Sequence, residues 1–345
     1  MKSMALFGKE DIRPFRYQLE KPKGNDMIIE ILSCGICGSD IRMYFNGPTP
    51  RYTLPIVLGH EIAGRVKEIG PAIQEFSVGD IVSIAPIIPC MQCAVCLRGD
   101  DHLCQRNQVI GTTVHGGFSE LMYIPESMVS AGGVAKVPEG VKTEELALAE
   151  TLACCLHGIR LIPYQIGNRV LIIGDGPIGL SFLQLVKMMG ASFIATAGRR
   201  KSRRELSERL GSDAAIDVSV IALEKQLEDL FDMVIIANSD TSAISQAIHL
   251  TRSGGHILLF SGYPYGTRIE LDPNVVHYRE LQIHGSIDAT VKDFNKAVQL
   301  LPYLRMNELI GAKFPLEKIE EAFQFAKNED VVKVVIQPQI TSSTP

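Results

Sequence analysis

The chain has 345 residues, 46% apolar and 21% charged, with a net charge of −5, a length that exceeds one ordinary core and fits two domains. The acidic balance, with no basic face, argues against a nucleic-acid partner, and no apolar run approaches the ~20 residues of a membrane span. The opening MKSMALFGKE reads as no secretory signal, so a cytoplasmic protein is expected, whose eight cysteines serve as thiols and metal ligands and not as disulfides.

Residues 1–135 read as short strands and loops. The strand candidates are 27–33, 62–69, 81–85 and 118–124, and the Gly and Pro between them suit a partly open, β-barrel-like domain. Two sets of metal-ligating residue types fall in this half or just beyond it. Cys37 sits in Cys37-Gly38-Ser39-Asp40, Gly59-His60-Glu61 follows some twenty residues on, and Glu150 opens a helical stretch. Each residue alone has an ordinary reading: a lone cysteine is usually buried filler, and an acid on a helix is usually solvated. Together, one Cys, one His and one or two carboxylates make an open mixed-ligand zinc site. Cys90, Cys93, Cys96 and Cys104 form the most specific local signal, since four close thiolates can enclose a tetrahedral zinc with no open position. That zinc would pin a loop and not catalyse. Asp100, Asp101 and His102, in the same lobe, read as solvated polar residues.

From about residue 143 the texture changes to a helix over 144–160 and then to alternating strand and helix. The strands expected are 169–173, 192–197, 214–217, 231–237, 256–261 and 281–285, a doubly wound parallel α/β sheet. The first is followed by Gly174-Asp175-Gly176-Pro177-Ile178-Gly179 and an apolar helix carrying Leu180, Leu183, Val186, the stem of Lys187 and Met188. Strand, glycine turn, helix and strand are the setting that makes GxGxxG a dinucleotide site: Gly174 for the turn, Gly176 for approach of a pyrophosphate, Gly179 for close packing, and the helix N-terminus for the phosphates. The second strand ends not in the Asp or Glu that holds a ribose 2′-hydroxyl but in Gly198-Arg199-Arg200-Lys201. With no carboxylate to repel a 2′-phosphate and guanidiniums to pair with it, NADP(H) is expected in preference to NAD(H). Arg203 and Arg204 read as a solvated helix start. Ser261 stands where a ligand would cross the carboxyl edge of the fifth strand. Helices over 291–304 and 316–327 and a strand over 331–337 close the chain, and 340–345 reads as disordered.

The order and spacing of CGSD, GHE, the four-cysteine lobe and GDGPIG resemble a zinc-dependent medium-chain dehydrogenase/reductase of the alcohol dehydrogenase superfamily, over nearly the whole chain. Glu150, where alcohol dehydrogenases carry a second zinc-binding cysteine, makes the polyol and threonine dehydrogenases the most similar branch. The resemblance implies a Rossmann domain over residues 154–286 and a GroES-like, mostly β catalytic domain from residues 1–153 and 287–345. It implies Cys37 and His60 as ligands of a catalytic zinc, Glu61 and Glu150 at the family's acidic positions, and Ser39 as the first hydroxyl of a proton relay. A homodimer or homotetramer is implied too. The Gly198-Arg199-Arg200 ending is similar to that of NADP-using members. Two departures stand out. Arg42 replaces a histidine that often follows CGSD, and a guanidinium cannot shuttle a proton near neutral pH. Arg42 is therefore a surface cation or a contact for a substrate anion, which would admit a phosphorylated polyol. Thr151 stands where Glu-Pro-Leu is common.

The expected function is transfer of hydride between a secondary alcohol (a polyol, a sugar alcohol or its phosphate) and a nicotinamide cofactor, with two zincs per chain. A threonine-type 3-dehydrogenase and a non-catalytic nucleotide-binding redox sensor are the alternatives. His157 could lie near the nicotinamide or be a packed helix residue, His115 could border the substrate cleft, and Cys34, Cys154 and Cys155 read as buried thiols.

Overall fold

The computed structural model describes residues 1–219, 223–227, 230–328 and 330–339; the tail expected to be disordered lies outside them. The chain divides into two compact units, one running from Met1 to Ala153 and resuming at Ala289, the other Cys154–Asp288.

In the first unit the apolar strand Met27–Gly35 is the hub. It pairs antiparallel with Glu61–Ile69, which sets Gly35 opposite Glu61 and Cys34 opposite Ile62. It also pairs with Leu121–Ile124 and with the late strand Lys333–Ile336, where Val335 faces Gly35. The sheet continues through Ile81–Ile84 and Val134–Lys136 on one side and Ile310–Phe314 on the other. A second sheet joins Asp11–Phe15, Ser3–Gly8 and Ile56–Val57. One core unites Leu6, Ile29, Ile31 and Phe118 with Ile319, Phe323 and Val334, so both ends of the chain bury their apolar side chains together.

The second unit holds a six-stranded sheet, ordered Ala214–Asp217, Phe193–Gly198, Arg169–Ile173, Phe231–Ile236, Thr251–Leu259 and Gln282–Gly285. Every pairing is parallel, and the order 3-2-1-4-5-6 is that of doubly wound nucleotide-binding sheets. The helix Pro177–Met188 buries Leu180, Phe182, Leu183 and Val186. Lys187 and Met188, expected in its apolar stripe, are exposed where the last turn reaches solvent. The fifth strand starts at Thr251, ahead of the expected 256, because a register irregularity opposite Phe231 and Met233 lets pairing begin before Gly254-Gly255 and resume after it. The helix expected over 144–160 is two, Thr143–Leu146 and Ala149–Arg160. Among the described residues no helix is long and apolar enough to cross a membrane.

Candidate metal and cofactor sites

Cys37 caps the N-terminus of the helix Gly38–Asn46. Asp40, three residues on, closes the cap by accepting the Cys37 amide at 2.9 Å, the reciprocal arrangement of a capping box. Its other oxygen accepts the Gly59 amide at 3.4 Å and faces His60 Nδ1 at 3.6 Å. One buried carboxylate thus ties the Cys37 turn to the His60 turn. Burial pushes the Asp40 carboxyl up from its ordinary range, against the pull of His60. Burial also works against a charged His60 ring, but Asp40, then Cys37 and Glu150, outweigh it and hold His60 well above its ordinary value.

Glu61 opens its strand beside His60, fully buried. Both its oxygens meet Lys333 Nζ, at 2.6 and 2.7 Å, and Thr151 Oγ1 donates to it at 3.1 Å. A Cβ on Gly35 would stand 1.9 Å from Glu61 Oε2, so the glycine clears the space the carboxylate fills. Lys333 is itself 4% exposed. Burial opposes its charge, and Glu61, Cys37 and Glu150 overcome this and raise its pKa. Ligand atoms of Cys37, His60 and Glu61 all lie within 4.8 Å of one another. Glu150, half-buried in the first turn of Ala149–Arg160, is near enough to act on both His60 and Lys333. A thiol, an imidazole and carboxylates are a donor set that fits zinc. Ser39 is half-buried in the turn after Cys37, and Arg42 is exposed on the same helix.

The four cysteines of the lobe converge as well. Their sulfurs stand 3.4 Å apart for Cys93–Cys96, 3.8 Å for Cys93–Cys104 and 4.0 Å for Cys90–Cys96. Zinc–sulfur bonds of about 2.3 Å in a tetrahedron require sulfurs roughly 3.8 Å apart, so the donors fit the ion. Asp101 and His102, expected in solvent, are buried. Asp101 Oδ1 accepts the Val291 amide at 3.0 Å, which draws the short helical turn it sits on inward and His102 with it.

In the second unit the glycine loop is tightly closed. Gly174 has φ +129°, and a Cβ on Gly179 would stand 1.9 Å from the Gly174 carbonyl oxygen. Gly176 is the N-cap of the helix, Pro177 its first residue and Ile178 its second, and nothing crowds Gly176. A cavity of about 350 Å³ opens there, lined by Gly174, Asp175, Gly198, Arg199, Arg200 and Asp240 among others. Arg199 pairs with Asp240 at 2.9 Å. Arg204, read as solvated, is mostly buried on Asp217 at 2.6 Å. The pocket does contain carboxylates, contrary to the reading of the strand end alone. Asp175 comes from the glycine loop and Asp240 from beyond the fourth strand, so neither was visible at the end of the second. Ser261 lies beyond the C-terminal end of the fifth strand, half-buried.

Cys34, Cys154, Cys155 and His157 are buried. His115 is half-buried, its ring 4.6 Å from that of Tyr17, and its Nδ1 accepts the Val57 amide at 3.3 Å, a packing role. Sequence reasoning missed Asp40, Thr151 and Lys333 as partners of the first cluster. Two carried a signal: Cys-x-x-Asp is a capping-box spacing, and Lys333 is a lone charge inside the apolar run Val331–Ile336.

Residues 23–139 match the alcohol dehydrogenase GroES-like domain and residues 177–302 the zinc-binding dehydrogenase family. L-Galactonate-5-dehydrogenase of Escherichia coli (strain K12) is 30% identical over 324 residues, covering 91% of this chain and 92% of that protein. D-Arabitol-phosphate dehydrogenase of Enterococcus avium is 30% identical over 331 residues, 92% of each. A structure from Sinorhizobium meliloti 1021, described as a zinc-binding dehydrogenase bound to NADP, superposes with a TM-score of 0.91 at 27% identity, covering 98% of this chain and 99% of that one. With GroES-like and zinc-binding dehydrogenase regions in succession and relatives aligned nearly end to end, the chain belongs to the zinc-dependent medium-chain dehydrogenases, in their polyol and threonine dehydrogenase branch, and is an NAD(P)-dependent alcohol dehydrogenase.

Proposed function

We propose that the protein oxidises a secondary alcohol of a polyol, a sugar alcohol or its phosphate, or reduces the matching ketone, with NADP(H) preferred and two zincs per chain. The observation that carries this reading is the convergence of Cys37, His60 and Glu61 within 4.8 Å, with Glu150 beside them. Cys37, His60 and an acidic residue, Glu61 or Glu150, would hold the catalytic zinc. Cys90, Cys93, Cys96 and Cys104 would hold the structural one. Zinc bound at the first site supplies a Lewis acid that lowers the pKa of an alcohol hydroxyl.

The chain's own residues do the rest. Lys333 offsets the charge of Glu61, so the donor set carries one negative charge fewer and remains electron-poor toward a hydroxyl oxygen. Ser39, two residues from Cys37, carries the released proton outward, and Arg42 cannot continue that relay. Gly174, Gly176 and Gly179 let the pyrophosphate approach the helix N-terminus at Pro177 and Ile178. Arg199 and Arg200 meet a 2′-phosphate, and Ser261 borders the cofactor at the sheet's carboxyl edge. The NADP in the similar structure from S. meliloti supports the preference, and the D-arabitol-phosphate dehydrogenase of E. avium supports a polyol or polyol phosphate.

In this reading residues 1–153 and 287–345 form the catalytic domain, residues 154–286 the cofactor domain, and the enzyme is a cytoplasmic homodimer or homotetramer. The test is turnover of the zinc-loaded enzyme with NADP and NAD across polyols, polyol phosphates, simple secondary alcohols and threonine. A higher kcat/KM with NADP and a polyol or its phosphate is expected. A threonine preference, or better turnover with NAD, would overturn the corresponding part.

A further inference from the structure

Position 198 is where the second strand ends and where a ribose-binding acid would stand, about twenty residues beyond the glycine loop. It is a glycine, yet the space beside it is filled. A Cβ built on Gly198 would lie 2.0 Å from Asp175 Oδ2 and 2.3 Å from Asp175 Cγ. A side chain on residue 198 would therefore overlap the Asp175 carboxylate, which fills the space beside the strand end. Asp175, the residue between Gly174 and Gly176, therefore delivers a carboxylate from the loop to the place left vacant at the strand end. Oδ2 of Asp175 accepts the Arg200 amide at 3.3 Å, which anchors it where the cavity's lining meets the strand end. The Arg199 guanidinium is meanwhile held 2.9 Å from Asp240 on the other wall. The same cavity thus offers an acceptor for a hydroxyl and a cation for a phosphate, each anchored by a different neighbour.

We propose that Asp175 is a specificity-determining residue that accepts the ribose 2′-hydroxyl of an unphosphorylated cofactor, so that NAD(H) is used through Asp175 and NADP(H) through Arg199 and Arg200. The proposal rests on the reading of this crevice as the nicotinamide cofactor site. It adds that the preference for NADP is limited by a carboxylate and can be raised by removing it. A charge-assisted hydrogen bond gives NAD an advantage on the order of tenfold that NADP, with its 2′-oxygen esterified, does not receive.

The experiment measures Kd for NAD and NADP by calorimetry, together with kcat/KM, on the zinc-loaded full-length enzyme. Asp175→Asn keeps the shape and removes the charge. It is expected to weaken NAD about tenfold and to leave NADP unchanged or tighter, whichever cofactor the wild type prefers. Gly198→Asp alone should be blocked by the overlap with Asp175, whereas Asp175→Gly combined with Gly198→Asp should restore NAD binding and weaken NADP. Unchanged NAD affinity in Asp175→Asn, or equal loss of both cofactors, would overturn the proposal. A wild type that prefers NAD would refute the stated NADP preference and leave the Asp175 ratio test intact.

Discussion

Lys333 and Glu61 show what a single buried pair imposes on its surroundings. Both are almost wholly out of water, and their charges meet at 2.6 Å. Removing one partner leaves the other charged in a low-dielectric interior, which costs about 3–5 kcal/mol. Lys333→Met should therefore destabilise the protein by that amount in urea unfolding. Adding Glu61→Gln to it should recover much of the loss, because no buried charge is then left alone. Turnover should stay low in both. If Lys333→Met alone unfolds at the wild-type urea concentration, the pair does not carry the charge balance assigned to it. Thr151, in place of the proline common in the branch, adds a donor that a proline could not supply.

At the level of one element, the lobe Cys90–Cys104 holds only a short helix from Ala94 to Leu97 and a 3₁₀ turn from Asp101 to Leu103, the rest being loop. So little regular structure buries too few apolar groups to order itself, and zinc would supply the missing free energy. Without the ion, Cys90 and Cys96 differ. Amides of Gln92 and Cys93 help lower the Cys90 thiol to about 6, while burial raises Cys96 to about 12. Binding zinc displaces the thiol protons, so its affinity falls as pH falls. A zinc held by the four cysteines should be retained at neutral pH and released on acidification, as protons compete for the thiolates, read by a colorimetric zinc chelator. Retention of all zinc at pH 4 would contradict this account. Cys93→Ser should remove one zinc per chain and lower Tm.

Over the whole molecule, contacts between distant segments decide which residues meet. The bond from the Val291 amide to Asp101 spans 190 positions and ties the cysteine lobe to the helix Val291–Leu300. Asp101→Ala would leave a buried amide without its acceptor. It should cost about 1–3 kcal/mol, seen as a lower Tm with NAD(P) binding unchanged; an unaltered Tm would show the amide finds another partner. Much of the rest was already legible in the sequence. The six strands of the second unit, the glycine loop and the four-cysteine lobe depend on period, turn chemistry and ligand spacing over short stretches, which a linear text preserves. The split of the helix near residue 147 and the early start of the fifth strand were not legible, since local packing and a register irregularity set them. Nor was the position of Lys333, which reaches Glu61 only because its strand adds to the sheet beside Met27–Gly35. The same holds for Asp175: its letter lies inside a motif read for its glycines, and only folding carries its carboxylate to Gly198. The fold class, the residue types able to ligate a metal and the glycine loop follow from local pattern in the sequence. Only folding sets which charges neutralise one another and which carboxylates line the cavity beside the glycine loop, because electrostatic energy depends on separation in space and not along the chain.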